Sequence, residues 1–313
     1  NFAGLSVYTL FYFLIVLRPT YDLVIKVSLA SALLVSFLVL FKFSAAISQG
    51  AISYIQGFAS GRVYMTSMIL LVGPFLCWHF VYRFLGLTGI ESNAERKISR
   101  STLLFLLFLF ALIIPSASKG YLLATVFLLV MVGAAWFLIF VANFQKVRGA
   151  FWAVIILVIA GSFIYSFYDE LMLSFELSNK SNEIRTEQFY QLLDDISLFG
   201  NGLGAVLESG YARGDAEYGF ELTYVNLVHK LGVVSAVIFI SYIVIIGIGF
   251  RLIFRRSARL VGAFILGCMV YLIPGIGNPI LLSPQMVMLH CVALYLAAQW
   301  YGPYKGYVFG RVK

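Results

Sequence analysis

Residues 169–232 read DELMLSFELSNKSNEIRTEQFYQLLDDISLFGNGLGAVLESGYARGDAEYGFELTYVNLVHKLG, and they form the only long polar stretch in an otherwise apolar sequence. The stretch holds 11 of the 14 carboxylates of the chain. These are Asp169, Glu170, Glu176, Glu183, Glu187, Asp194, Asp195, Glu208, Asp215, Glu217 and Glu221. The basic residues interleaved with them are Lys180, Arg185, Arg213 and Lys230. We therefore interpret the apolar sequence on either side as scaffold, and this stretch as the functional region.

The composition predicts an integral membrane protein. Hydrophobic residues make up 61% of the chain and charged residues 12%, and the mean hydropathy is +0.94. Soluble domains have about 45–50% apolar and about 25% charged residues, so a soluble fold could not bury this much apolar surface. The basic residues behind the net charge of +8 lie at the ends of apolar runs. Membrane topology explains that arrangement better than nucleic-acid binding does.

Long apolar runs are interpreted as membrane helices, because a lipid-facing backbone must satisfy its own hydrogen bonds. The runs cover residues 3–17, 23–41, 63–84, 101–114, 120–142, 150–168, 222–250, 260–273 and 281–301. They predict an all-α polytopic fold of about nine transmembrane helices. The first run ends at Leu17, which is short for a span of about 20 residues and indicates further sequence upstream. The three cysteines, Cys77, Cys268 and Cys291, fall inside apolar runs and are expected to be buried.

The loop charges predict an orientation. An arginine cluster without nearby acids, formed by Arg251, Arg255, Arg256 and Arg259, is assigned to the cytoplasm by the positive-inside rule. Alternation then places the long polar stretch outside the cytoplasm. The predicted units are an N-terminal transmembrane bundle (1–168), a large extracytoplasmic loop with short helices and the active site (169–221), and C-terminal transmembrane helices (222–313).

That orientation limits the chemistry. Outside the cytoplasm there is no ATP and no pool of nucleotide sugars, so a group-transfer enzyme needs a donor carried by the membrane. The competing hypothesis is a transporter or a structural protein with a large loop. No internal repeat relates the two halves, which weakens the transporter hypothesis.

Two basic residues are candidate phosphate ligands. Lys119 follows a turn-forming sequence at the outer end of an apolar run, where it would either bind a phosphate or extend to the lipid headgroups. Arg185 lies at the opening of an amphipathic pattern, with apolar residues at Ile184, Phe189, Leu192, Leu193 and Ile196, that ends before the glycine run at 200–204. Its planar guanidinium suits a pyrophosphate; the alternative is a surface pair with Glu187 or Asp195.

Other polar residues are candidates for proton transfer. Glu221 lies at the membrane boundary, where it is either a general base or a solvated carboxylate at a helix start. Glu217 competes with it, and His229 is either a packed histidine or a proton carrier. Gly202 and Gly204 belong to a run too short for a dinucleotide fingerprint, and we expect a tight turn that closely approaches another element. The carboxylates follow no recognisable metal-binding spacing, so no metal and no cofactor are predicted.

Three motifs carry a resemblance to a known family. They are SASKG at 116–120, Arg185 with the helix pattern leading to LFGNGLG at 198–204, and ELTYVNLVHKLG at 221–232. They are similar in order and spacing to the Ser-Arg-Gly turn, the arginine, helix and Gly-x-Gly, and the His-Asn stretch of the O-antigen ligase and O-antigen polymerase superfamily. Gly61-Arg62 is a fainter likeness. The resemblance covers roughly residues 60–250.

The resemblance implies a GT-C-like glycosyltransferase in the bacterial inner membrane. It would take a glycan from undecaprenyl pyrophosphate at the periplasmic face, invert the anomeric configuration and need no metal. Arg185 would bind the leaving pyrophosphate, Lys119 would occupy the place of a usual arginine, and Glu221 that of the histidine base of the ligases. Arg62 and Arg213 would be further phosphate contacts. The implied partners are the lipid-linked donor, a sugar acceptor, the bilayer, a chain-length regulator and a flippase.

Two departures from the family pattern decide between its members. Lys119 cannot form the two-pronged contact of an arginine. Glu221 in place of histidine argues against the lipid A–core ligase and for a polymerase of O-antigen or exopolysaccharide repeats. A ligase that transfers the glycan to lipid A core or another acceptor is the alternative, and a lipid-linked oligosaccharide transporter is the second alternative.

Overall fold

The computed structural model describes residues 2–48, 67–87, 107, 108, 111, 180–207, 220, 222–255, 258–276, 280, 281 and 283–301. Within these ranges the chain is helical and contains no strand. The α-helices are α1 (Thr9–Leu17), α2 (Tyr21–Ser48), α3 (Gly73–Leu87), α4 (Lys180–Asp194), α5 (Thr223–Leu231), α6 (Ser235–Phe254), α7 (Arg259–Cys268) and α8 (Pro284–Tyr301). Short 3₁₀ segments cover Phe2–Tyr8, Ser67–Val72, Gly232–Val234, Val270–Leu272 and Pro274–Ile276.

Three helical stretches are long and apolar enough to cross a membrane, namely Tyr21–Phe41, Thr223–Phe254 and Arg259–Ile276. They match three of the predicted runs, 23–41, 222–250 and 260–273, and they make this chain a helical membrane protein. Shorter apolar helices, Leu5–Leu17 and Leu70–His79, fall within two more of the predicted runs. The predicted runs 120–142 and 150–168, and nearly all of 101–114, lie outside the described residues. The total of about nine spans therefore stays a prediction.

Helix α7 lies at the centre of the described core and packs against α3 on one side and α6 on the other. Small residues make both contacts possible, as is common between membrane helices. A Cβ at Gly262 would lie 2.6 Å from the carbonyl oxygen of Gly249 on α6. A Cβ at Gly267 would lie 2.5 Å from the carbonyl oxygen of Gly73 at the start of α3. These glycines therefore set how closely the three helices approach.

Substituting valine for Gly262 is expected to separate α6 from α7. The new side chain would meet the backbone of Gly249 and Ile253, and backbone cannot move aside as a flexible side chain can. We expect a loss of about 2 kcal/mol in the free energy of unfolding, measured by denaturant titration in detergent micelles. Unchanged stability of the Gly262→Val variant would show that this helix contact is looser than described.

Helix α8 holds the N-terminal segment through polar contacts inside the apolar core. Tyr295 Oη donates to the carbonyl oxygen of Pro19 at 2.8 Å. Ser241 Oγ donates to the Ile238 carbonyl, so it accepts from Nε2 of His290 at 3.1 Å. Nδ1 of His290 then accepts from Tyr8 Oη at 2.6 Å. His290 is buried and satisfied at both ring nitrogens, which gives it a structural role.

Removing the Tyr8 hydroxyl should weaken the attachment of the N-terminal segment. A Tyr8→Phe variant leaves Nδ1 of His290 without its donor, and we expect a loss of about 1 kcal/mol. Thermal unfolding in detergent measures it. Tyr12→Phe is the matched control, because Tyr12 lies in the adjoining helix with 66% of its surface exposed. Equal unfolding temperatures for the two variants would contradict the assigned role of Tyr8.

Candidate functional site

Helix α4 presents one face to the start of α5. It ends at Asp194, before the glycine run, as predicted; it begins at Lys180, so Arg185 lies in its second turn and not at its start. Gln188 is 1% exposed, and its Oε1 accepts a hydrogen bond from the backbone N–H of Leu222 at 3.2 Å. Arg185 precedes Gln188 by three residues and therefore shares this face of the helix. The structure thus places Arg185 on the side of α4 that meets α5.

A loop after α4 caps the other end of α5. The last carbonyls of a helix lack partners within the helix, and here the loop supplies them. The backbone N–H of Asn201 donates to the carbonyl oxygen of His229 at 2.9 Å, and that of Gly202 donates to the Lys230 carbonyl at 3.0 Å. In the reverse direction the N–H of Val233 donates to the Leu198 carbonyl at 2.9 Å. Residues 198–205, which we call the glycine loop, are thereby tied to the end of α5.

Glycine is required where the two backbones meet. Gly200 and Gly232 both have positive φ, 76° and 55°, and a Cβ on either would overlap the backbone of the other. This confirms the predicted tight turn with a close approach. Gly202 also has positive φ, and its backbone N–H donates to the backbone carbonyl oxygen of Lys230. Gly204 has open space around it. The described contacts therefore give Gly202 a structural role.

His229 is held by a carboxylate and lies at the centre of a buried polar cluster. Its Nε2 is 2.9 Å from Asp195 Oδ2 and 3.0 Å from Asn201 Nδ2. Asn201 Nδ2 donates to the Asp195 carbonyl oxygen at 2.6 Å. The His229 side chain is fully buried, and 20% of the Asp195 side chain is exposed. An ionised carboxylate accepts hydrogen bonds, so the tautomer protonated at Nε2 donates to Asp195. Asn201 Nδ2, which is also a donor, then makes its hydrogen bond to the Asp195 carbonyl oxygen and not to Nε2.

The second ring nitrogen of His229 is buried. Its Nδ1 has no hydrogen-bond partner among the described residues. With the proton on Nε2, neutral imidazole presents a lone pair at Nδ1. General base catalysis would need this nitrogen to reach a substrate proton. The two roles that the sequence left open for His229, a packed histidine and a proton carrier, therefore both stay predictions.

Lys230 is a buried cation that holds the glycine loop. Only 1% of its surface is exposed. Its Nζ donates to the carbonyl oxygens of Leu203 at 3.2 Å and Ala205 at 2.7 Å, and it lies 5.6 Å from the centroid of the Phe220 ring. Carbonyl dipoles and an aromatic face offset the cost of removing an ammonium from water. Lys230 therefore fixes the far half of the loop.

Sequence reasoning missed the roles of Asp195, Asn201 and Lys230. Asp195 was considered only as a partner for Arg185, whereas the structure pairs it with His229. Asn201 was treated as part of a turn. Spacing carries no signal for these contacts, because 34 residues separate Asp195 from His229. The sequence offers one hint of these contacts. Buried polar residues need hydrogen-bond partners, so the polar residues of the α5 segment indicate that such partners lie elsewhere in the chain.

Several sequence-predicted site residues lie outside the described part of the chain. These are Lys119, Glu221, Arg62, Arg213 and Glu217. Their proposed roles stay predictions. Of the candidates that are described, His229 and Gly202 meet at the glycine loop, and Arg185 lies on the α4 face toward α5.

An apolar groove adjoins the polar cluster. Its volume is about 570 Å³, and it lies between α4, α5 and α6. The lining residues are Leu193, Ile196, Tyr224, Val225, Val228, Phe239, Tyr242, Ile243, Ile246 and Leu272. Two lining residues, Ile196 and Val228, are sequence neighbours of Asp195 and His229, whereas the side chains of the polar cluster do not themselves line the groove. An elongated apolar ligand with a polar end would suit this combination.

The described residues include no cluster of three or more His, Cys, Asp or Glu side chains that could bind a metal ion. The three cysteines are reduced and buried, which confirms the expectation from their apolar surroundings.

The fold defines the class of this chain, which is a helical membrane protein. Its polar cluster lies where α4 and the glycine loop meet α5, at the start of the apolar stretch Thr223–Phe254. Comparisons with protein-family models, curated proteins and solved structures find no match to this chain.

Proposed function

We propose that this protein is an inverting membrane glycosyltransferase that polymerises oligosaccharide repeats carried on undecaprenyl pyrophosphate. The observation that carries the proposal is the apolar groove of about 570 Å³, whose lining residues Ile196 and Val228 are sequence neighbours of Asp195 and His229 in the polar cluster. A donor of this kind has an apolar tail and an anionic head. The motifs at 116–120, 185–204 and 221–232 support the same class by their resemblance to the O-antigen ligase and polymerase superfamily.

The groove suits the lipid part of such a donor. All its lining side chains are apolar or aromatic, and α6 belongs to a stretch long enough to span the membrane. An isoprenoid tail could enter from the bilayer without crossing water, and transfer of its apolar surface would favour binding. Its pyrophosphate end would then lie near the extramembrane segment that carries Arg185.

The reaction proposed is a single displacement. The acceptor hydroxyl oxygen bonds to the anomeric carbon of the donor glycan, and the bond from that carbon to the pyrophosphate oxygen breaks. Undecaprenyl pyrophosphate leaves with the bonding electrons, and the hydroxyl proton passes to a base. Arg185, with Lys119, would stabilise the charge that develops on the pyrophosphate. Glu221 is the base proposed from the sequence, and Nδ1 of His229 is the other candidate.

The test is replacement of Arg185 by alanine. Removing one transition-state donor typically lowers turnover about 100-fold, so we expect the conversion of lipid-linked repeats to longer chains to fall by about that factor in liposomes. Glu187→Ala is the matched control, because Glu187 is an exposed residue of the same helix. A normal product ladder from purified, membrane-inserted Arg185→Ala protein would disprove the assignment.

The glycans of a deletion strain separate the alternatives. Single repeats without a ladder support a polymerase. Full-length glycan that accumulates on its lipid carrier supports the ligase. Unchanged glycan, together with transport of lipid-linked repeats by the purified protein, supports the transporter.

A further inference from the structure

The length of helix α6 indicates how deep in the membrane the adjoining segments lie. Its 20 residues, Ser235–Phe254, span about 30 Å at 1.5 Å per residue, which equals the thickness of a bilayer hydrocarbon core. Arg251 lies in its last turn, at the boundary assigned to the cytoplasm. A core of about 30 Å corresponds to about 20 helical residues, so the opposite boundary lies a few residues before Ser235.

One face of α6 is apolar and exposed. Val237, Ile240 and Val244 recur at helical spacing, and between 50% and 69% of each is exposed. Val233 and Val234, just before the helix, are 56% and 57% exposed. The apolar outer surface thus continues past Ser235 to the boundary between hydrocarbon and headgroups.

The glycine loop is fixed at that same boundary. The hydrogen bond from the Val233 N–H to the Leu198 carbonyl places Leu198 at the level of Val233. Leu198 is 70% exposed and Phe199 is 82% exposed. Two large apolar side chains therefore project from a loop whose backbone is attached at the membrane surface.

We propose that Leu198 and Phe199 form a lipid-binding tip that inserts into the outer part of the bilayer. Lipid is the expected partner of the tip, because the tip continues the exposed apolar face of the membrane-spanning helix α6 through Val233 and Val234. Aromatic side chains are enriched at this depth of a membrane, and apolar side chains of surface segments bind there by the hydrophobic effect. The tip would hold the glycine loop, and with it His229, against the bilayer surface. The proposal is independent of the reaction catalysed.

Site-directed spin labelling tests this insertion. A nitroxide is attached to Phe199→Cys in the full chain, reconstituted in phosphatidylcholine liposomes. Its collision rates with oxygen, which partitions into lipid, and with a water-soluble nickel chelate are then compared. Ile240→Cys supplies the lipid reference, and Glu183→Cys, an exposed position on α4, supplies the water reference. Unsubstituted protein gives the background, because its three cysteines are buried.

We expect the oxygen-to-nickel ratio at residue 199 to approach that at residue 240, and to exceed that at residue 183 at least several-fold. A ratio equal to that at residue 183 would place the tip in water and overturn the proposal. Low collision rates with both reagents would also overturn it, since they would mean that protein covers the tip, either another segment or a second copy. Labelling at Leu198→Cys repeats the measurement if the Phe199 variant does not fold.

Discussion

Replacing Lys230 with methionine is expected to detach the far half of the glycine loop and to cost about 3 kcal/mol of stability. Methionine has a similar length but no donor, so the carbonyl oxygens of Leu203 and Ala205 lose their hydrogen bonds to the ammonium. Hydrogen bonds to charged groups contribute about 1.5–3 kcal/mol each. Denaturant unfolding in detergent measures the loss, and faster chymotrypsin cleavage near Phe199 reports the detached loop.

A lysine elsewhere in the chain provides the control for Lys230→Met. Lys26 pairs with Asp22 on the surface of α2, where 69% of its side chain is exposed. Such pairs contribute less than about 1 kcal/mol, so Lys26→Met should leave both stability and cleavage nearly unchanged. Equal effects of the two substitutions would mean that Lys230 does not hold the loop.

Replacing Gly232 with alanine is expected to have an effect of similar size, about 3 kcal/mol or more. The residue has φ 55° and ψ −136°, a conformation that side chains strain by about 1–3 kcal/mol. The added Cβ would also overlap the backbone of Gly200 and Leu198, and overpacking costs a further 1–3 kcal/mol or so. The loop should separate from the end of α5, which would expose His229 and lower the stability.

Gly247 offers the matched control for Gly232→Ala. It lies in the middle of α6, and a Cβ added there would meet no neighbouring side chain or helix within 4 Å. The same substitution should therefore stabilise the helix by about 0.5–1 kcal/mol, because alanine has the higher helix propensity. Opposite signs at the two positions are the expected result. A Gly232→Ala protein as stable as the wild type would contradict the close approach of the two backbones.

Two residues are candidates for the base of the proposed reaction. The sequence favours Glu221, because it lies at the membrane boundary and stands where the resemblance places the histidine of the ligases. His229 is the other candidate; its Nε2 is oriented by Asp195, and its buried Nδ1 has no partner among the described residues. Substitutions at both positions, assayed with the same lipid-linked repeats, separate these roles.

Local patterns in the sequence predicted several elements well. The amphipathic pattern from Ile184 to Ile196 predicted α4, since helical periodicity is visible within a few turns. The glycine run predicted a tight turn with a close approach, because backbone with positive φ favours glycine. The buried cysteines followed from their apolar neighbours. Each of these properties depends on residues close together in the chain.

The membrane class of this protein was determined by the sequence alone, because hydropathy is a property of contiguous residues and the bilayer selects long apolar helices. Only the tertiary structure decided that Asp195 meets His229, that Lys230 reaches the carbonyls of Leu203 and Ala205, and that Gly200 fits against Gly232. These contacts join residues between 25 and 34 positions apart. They form because α4 and the glycine loop pack on both ends of α5, and no periodicity or local spacing encodes which distant groups that packing brings together.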